Sequence, residues 1–118
     1  HQGMDIAAPR GTPVFSAAPG RVISASGYEG YGKRVIIDHG RGIYSLYAHL
    51  SKINVKNGDA VDDRTKIGAI GATGIATGPH LHLEIIAMGA DGRMHRLNPS
   101  QALNRDLAQL EVREDAID

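Results

Sequence analysis

The chain has 118 residues, a length that fits one domain with a single small core. Its 13 basic and 13 acidic side chains give a formal net charge of zero, which excludes the strongly basic surface typical of nucleic-acid binding. Apolar residues make up 42% of the chain, but no apolar run is long enough to predict a membrane span. Cysteine is absent, so a metal site would have to use histidine and carboxylate ligands.

The predicted elements are short strands that alternate with glycine-bearing turns. Segments rich in valine and isoleucine recur along the chain, and no helical period is sustained before residue 98. In chain order, strands are predicted at residues 14–16, 21–25, 33–38, 43–49, 52–55, from about 66, 80–85 and 93–97. This pattern indicates an all-β, antiparallel fold.

The pattern of apolar residues changes from strand-like to helical spacing at the end of the sequence. Asn98 and Pro99 are typical of a helix start. Four apolar residues then follow at helical spacing: Ala102, Leu103, Leu107 and Leu110. We therefore predict a short C-terminal helix, a domain that covers residues 1–110, and an acidic tail at residues 111–118.

The segment from His80 to Ile85 alternates polar and apolar residues, which places His80, His82 and Glu84 on one face of a strand. The two histidines start about 6.6 Å apart, so that one could bind a cation while the other reaches a water molecule beside it. Strand spacing leaves open which histidine does which. Taken alone, the motif fits two surface histidines on a solvated strand better than it fits a metal site.

Three further residues add to this pattern. His1 and Asp5 would supply a neutral nitrogen and an anionic oxygen, which zinc accepts together. Three protein ligands with an open fourth position are typical of catalytic zinc rather than structural zinc. His49 ends a predicted strand, although a buried histidine bonded within a sheet explains this residue better when it is considered alone.

Four motifs stand in the order and spacing of a known family. They are His1–Pro9 with Gly11–Val14, Val35–Gly40, Leu46–Leu50 and Gly74–Glu84. Over residues 1 to about 103, the chain resembles the lysostaphin-type (LytM-like) zinc metallopeptidases. The resemblance implies a two-layer antiparallel sheet with an open groove and hydrolysis of peptide stems or cross-links of bacterial peptidoglycan. It also implies a location in the bacterial cell envelope, either periplasmic or extracellular.

The resemblance assigns a role to each candidate residue. His1, Asp5 and His82 match the ligands of one zinc ion, and His49 and His80 match two histidines that flank the attacking water. One of these two would act as the base, and the sequence does not say which. Two tyrosines are candidates for substrate contact. Tyr31 matches a loop that lines the groove, and a tyrosine partly buried at the base of that loop fits equally well; parity places Tyr47 on the face of His49, where a packing role fits slightly better than substrate contact.

Three other polar residues have less defined roles. Glu84 could orient a metal ligand as a neighbouring carboxylate, or it could be a solvated strand residue. His39, in a turn, is predicted to be structural. His95, on a polar strand, is predicted to be exposed.

Two other functions compete with a peptidase. The family includes members that have lost ligands and activate other wall hydrolases without catalysis, whereas all five histidine and aspartate positions are present here. Residues 54–71 also resemble half of a biotinyl- or lipoyl-carrier barrel with Lys56 near a turn, which would leave the histidines without a role. Since the family carries a strand and loop before the position of His1, the chain is expected to be one domain of a longer protein.

Overall fold

The computed structural model describes residues 3–28, 30–72 and 78–99. Within these ranges the chain forms nine strands: β1 Met4–Ala7, β2 Pro13–Phe15, β3 Gly20–Tyr28, β4 Gly32–Gly40, β5 Ile43–Ile53, β6 Ala60–Val61, β7 Lys66–Ile70, β8 His80–Met88 and β9 Met94–Leu97. The predicted all-β class is therefore confirmed. Most of the predicted C-terminal helix and the whole acidic tail lie outside the described residues.

All strand pairs are antiparallel and belong to one hydrogen-bonded network. The main path runs β1-β8-β5-β4-β3-β6, while β2 pairs with β7, β7 also pairs with β5, and β9 pairs with β8. Strand β5 pairs with β8 through Ile43 to Ala48 and with β7 through Leu50 to Ile53. His49 therefore lies where β5 passes from one neighbour to the other.

The core lies on the face of β8 that carries Leu81, Leu83 and Ile85, all of them buried. The largest fully buried side chains include Tyr47, Ile37, Ile43, Leu50 and Ile67. Val14 on β2 and Ile67 on β7 belong to the same buried cluster. The β2–β7 pair therefore packs against the apolar face of β8. The opposite face of β8 is thereby left to its polar residues. In the described part of the chain, no helix has the length and apolar character needed to cross a bilayer.

The sequence prediction differs from the structure at three places, the first of which is the short strand β6, which was not predicted. Residues 43–49 and 52–55 were predicted as separate strands, but β5 continues to Ile53 with a register shift between Leu50 and Lys52. Strand β1 was missed because it is only four residues long and none of its residues is buried. It forms because β8 offers it a free edge.

A chain of hydrogen bonds surrounds His39 in the core. Nδ1 of His39 lies 2.8 Å from the Pro19 carbonyl oxygen, and Nε2 lies 2.7 Å from Oγ of Ser45. The Ser45 oxygen lies 2.8 Å from the oxygen of the Tyr47 hydroxyl, which accepts from the backbone N–H of Ala17 at 2.8 Å. Because a carbonyl only accepts, Nδ1 carries the hydrogen, and Nε2 of the neutral ring can accept from Ser45. The predicted structural role of His39 is confirmed.

This network predicts that stability falls as the solution becomes mildly acidic. Burial lowers the pKa of His39 below 6.5, against opposing contributions from the Pro19 carbonyl and Asp38. The unfolded chain therefore binds this proton at a higher pH than the folded chain does. The free energy of unfolding should reach its full value above pH ~6.5 and decrease as the pH falls toward the lower pKa of the folded state.

Urea unfolding between pH 7.5 and pH 5 measures this dependence. His39→Gln should be less stable at pH 7.5 by about 1–3 kcal/mol, since it disturbs buried hydrogen bonds, and its stability should change less with pH than that of the native chain. His95→Gln serves as the control because the His95 side chain is less buried, at 24% exposure. Equal pH dependence in the native chain and His39→Gln would contradict the prediction.

Candidate metal centre and active site

Strand register brings Asp5 and His82 onto one face of the sheet. Asp5 lies directly across from His82 in the β1–β8 pair, and Ala48 lies across from His82 in the β5–β8 pair. Directly opposed residues in antiparallel strands point to the same face. Asp5, which is 77 positions from His82 in sequence, therefore reaches the polar face of β8.

The Asp5 and His82 side chains point at each other. Oδ1 of Asp5 lies 2.8 Å from Nδ1 of His82 and 3.9 Å from Nε2 of His80. Nδ1 of His80 faces the backbone carbonyl of Gly78 at 2.8 Å. Nδ1 of His80 therefore carries the hydrogen, and its Nε2 is left as the acceptor that faces the site.

His49 joins this group because its backbone breaks the alternation of β5. Leu46 and Ala48 pair with Glu84 and His82, so regular alternation would turn His49 into the core. His49 instead adopts a positive φ of 61°, which is rare for residues other than glycine. Its ring centroid lies 5.0 Å from that of His80 and 6.0 Å from that of His82. The three imidazoles thus form one cluster.

Glu84 lies next to His82 on the same face of β8 and is only 2% exposed. Its Oε2 lies 2.7 Å from Nε2 of His82 and accepts from the Tyr31 hydroxyl at 3.2 Å. Its Oε1 accepts from Nε of Arg96 at 2.9 Å. Of the two alternatives for this residue, the structure supports the carboxylate that orients a neighbouring histidine.

The carboxylates around His82 determine its electrostatics. The hydrogen bond to Glu84 raises the pKa of His82, and Asp5 adds to that increase against the opposing effect of burial. Burial alone would raise the pKa of Glu84, but hydrogen bonds from His82 and Arg96 together outweigh it and lower that pKa. The same bond to Glu84 raises the pKa of Arg96. The two carboxylates therefore favour the protonated form of the His82 ring.

Tyr31 lies beside the cluster, with its ring centroid 6.1 Å from that of His82. The Arg34 guanidinium carbon lies 5.4 Å from the same ring, a distance that allows a cation–π contact. The Tyr31 carbonyl accepts from the backbone N–H of His49 at 2.8 Å. Tyr31 thus connects its loop to His49 and Glu84, and its contact with substrate stays a prediction.

The substrate contact predicted for Tyr47 is wrong. Tyr47 is 1% exposed, it packs in the core, and its hydroxyl is bonded within the His39 network. It pairs with Leu83 of β8, whose side chain faces the core. The parity argument failed because the positive φ of His49 separates two residues that regular alternation would keep on one face.

The donor set of this site fits a metal ion. Asp5 Oδ1 and His82 Nδ1 lie 2.8 Å apart. A metal that displaced the hydrogen between them would find a lone pair on Nδ1, while Nε2 keeps the hydrogen that Glu84 accepts. A carboxylate oxygen and a neutral imidazole nitrogen are ligands that zinc accepts. Among the described residues, no three histidine or carboxylate side chains are grouped to hold a metal by themselves, and His1, the third predicted ligand, lies outside those residues.

Sequence reasoning missed Arg96 entirely. In the β8–β9 pair, Arg96 lies across from Ile86, next to the position of Glu84 on β8. The signal that could have found it is the hairpin itself. The turn at residues 89–92 brings a cation on the returning strand back alongside a carboxylate on the outgoing one.

Comparison with known proteins decides the family. The model for peptidase family M23 matches residues 1–98. The chain belongs to peptidase family M23. This finding confirms the resemblance drawn from the four sequence motifs.

Relatives of known structure or name support this membership. The chain is 37% identical over 121 residues to peptidoglycan DD-endopeptidase ShyA of Vibrio cholerae, an alignment that covers 100% of this chain and 28% of ShyA. The catalytic domain of the antimicrobial peptidase lysostaphin from Staphylococcus simulans matches with a TM-score of 0.79 and 32% identity, covering 89% of this chain and 80% of that chain. A zinc-containing peptidase from Vibrio cholerae matches with a TM-score of 0.73 and 40% identity. The match covers 81% of this chain and 29% of that peptidase. The M23 chain thus spans about a quarter of the length of ShyA.

Proposed function

We propose that this M23 chain is a zinc-dependent endopeptidase domain that hydrolyses peptide stems or cross-links of bacterial peptidoglycan in the cell envelope. The observation that carries the proposal is the approach of Asp5 to His82 at 2.8 Å, with His80 and His49 on the same face. Similarity to the peptidoglycan DD-endopeptidase ShyA and to the antimicrobial peptidase lysostaphin supports a peptidase that acts on peptidoglycan.

In this proposal, His1, Asp5 and His82 hold one zinc ion. When bound, zinc would polarise the scissile carbonyl and lower the pKa of water toward ~7. A zinc-containing peptidase among the structural matches supports this choice of metal. The role of Glu84 follows from its contact with Nε2, because it orients the His82 ring so that Nδ1 faces Asp5.

His80 and His49 would move the protons of the reaction. The contact of His80 Nδ1 with the Gly78 carbonyl leaves Nε2 free to accept a proton from the attacking water. The His49 ring, whose centroid lies 5.0 Å from that of His80, would stabilise the charge that develops on the carbonyl oxygen or protonate the departing amine. We therefore assign the base to His80, a choice that the sequence left open.

Digestion of purified peptidoglycan tests the bond that is cut. The chain should release new free amino groups, detected by dinitrophenylation and mass spectrometry, without new reducing sugar ends. Peptide products are expected because no sequence motif supplies the acid and nucleophile pair of glycan cleavage, and the two carboxylates of the described site, Asp5 and Glu84, both face His82. The chelator 1,10-phenanthroline should stop this release, zinc should restore it, and the non-chelating 1,7-isomer should have no effect. Reducing ends without free amines, or full activity in the chelator, would contradict the proposal.

A further inference from the structure

The buried carboxylate of Glu84 is held at both oxygens by different strands. One oxygen lies 2.7 Å from Nε2 of His82, on the same strand, and accepts from the Tyr31 hydroxyl. The other oxygen accepts from Nε of Arg96 on β9, at 2.9 Å. The carboxylate plane is therefore fixed at two points.

This fixed carboxylate determines which way the His82 ring faces. The imidazole donates its Nε2 hydrogen to Glu84, so once a metal displaces the hydrogen between Nδ1 and Asp5, the lone pair that binds the metal lies on Nδ1. Nδ1 is the atom that lies 2.8 Å from Asp5. If the carboxylate turned away, the ring would lose the contact that sets both its tautomer and its orientation.

Arg96 supplies the positive charge that the other two donors to Glu84, Tyr31 and His82, do not bring. Tyr31 and a neutral His82 bring no positive charge to a carboxylate that is 2% exposed, whereas burying an uncompensated charge is unfavourable. Arg96 supplies that charge while its own side chain is 32% exposed. Its position is set by β8–β9 pairing, in which Arg96 lies across from Ile86 and Leu97 across from Ile85.

We propose that Arg96 is a positioning residue that acts through Glu84 to hold Nδ1 of His82 toward the metal. The inference rests on the proposed zinc site. It extends the site to the β8–β9 hairpin, since a residue on β9 that contacts neither the metal nor the substrate then sets the affinity for the metal.

Zinc affinity of the full chain, measured by competition with a chromogenic chelator, tests this role. Arg96→Ala should weaken zinc binding by about 10–100-fold, the range for groups that orient metal ligands. Arg96→Lys keeps a charge and a donor and should recover most of that loss. Arg93→Ala is the matched control, because it removes a cation from an exposed position on the same hairpin. The visible spectrum of the cobalt-substituted chain should change in Arg96→Ala and stay native-like in Arg93→Ala.

Several outcomes would overturn the inference. Native-like zinc affinity in a folded Arg96→Ala chain would show that Glu84 needs no help from Arg96. An equal loss in Arg93→Ala would show a general effect of charge. If Arg96→Ala does not fold, Arg96→Met keeps an unbranched aliphatic side chain without a donor, and native-like affinity in that variant would equally contradict the role. A native chain that binds no zinc would instead contradict the proposed function itself, so the two failures are distinguishable.

Discussion

Replacing His82 with alanine is expected to empty the metal site and abolish peptide hydrolysis together. His82 supplies the nitrogen that faces Asp5 at 2.8 Å, so its removal leaves the proposed site with one fewer ligand. Bound zinc should fall from near one equivalent to near zero. Turnover should fall by more than about 10³-fold, since the group that polarises the carbonyl is lost with it.

The His82→Ala result needs a control for folding, because the substitution also removes a partner of the buried Glu84 at a cost of about 1–3 kcal/mol. Asp5→Asn avoids this problem. The Asp5 side chain is 49% exposed, and the substitution conserves its shape while removing the anionic ligand. His95→Ala removes a histidine from β9 outside the cluster and should keep both zinc and activity. Zinc retained in both folded variants, His82→Ala and Asp5→Asn, would contradict the ligand assignment.

His49→Ala and His80→Ala are expected to keep the metal and lose turnover. Both rings lie within the histidine cluster, but neither is proposed as a ligand. A positioned acid or base contributes about 10²–10⁴-fold to the rate, and each substitution should lower kcat by that range. Steady-state kinetics on a soluble peptide substrate, with zinc content determined on the same samples, measures the effect.

His49→Ala carries a second consequence. Its positive φ of 61° is unfavourable for any residue with a Cβ, and His49→Gly should tolerate that backbone better than His49→Ala. The glycine variant therefore separates a loss of folding from a loss of chemistry. A folded His49→Gly chain with native turnover would contradict a catalytic role for His49.

The local parts of this fold and site could be predicted from sequence. The alternation of residues 80–85 correctly predicts a strand with His80, His82 and Glu84 on one face. Glycine-bearing turns and β-branched segments likewise predict an all-β chain. These features depend on residues that are neighbours in sequence.

The features that periodicity could not predict depend on long-range pairing or on one unusual residue, although the family resemblance had already grouped Asp5 and His49 with His82. Strand β1 is exposed and short, and only its pairing with β8 brings Asp5 to His82. The positive φ of His49 turns its side chain away from the core face, which Tyr47 occupies through its pairing with Leu83. Arg96 reaches Glu84 only through the β8–β9 register. The periodicity of apolar residues indicates neither which strands pair nor which residue adopts a positive φ.

The most direct test of the central assignment is to measure bound zinc and turnover in the same samples of His80→Ala and His82→Ala. These two residues share one face of β8, but His80 is proposed as the base and His82 as a metal ligand. We predict near one equivalent of zinc with little turnover in His80→Ala, and neither zinc nor turnover in His82→Ala. An empty site in His80→Ala and a filled site in His82→Ala would contradict the account, because the ligand and the base would then have to exchange places.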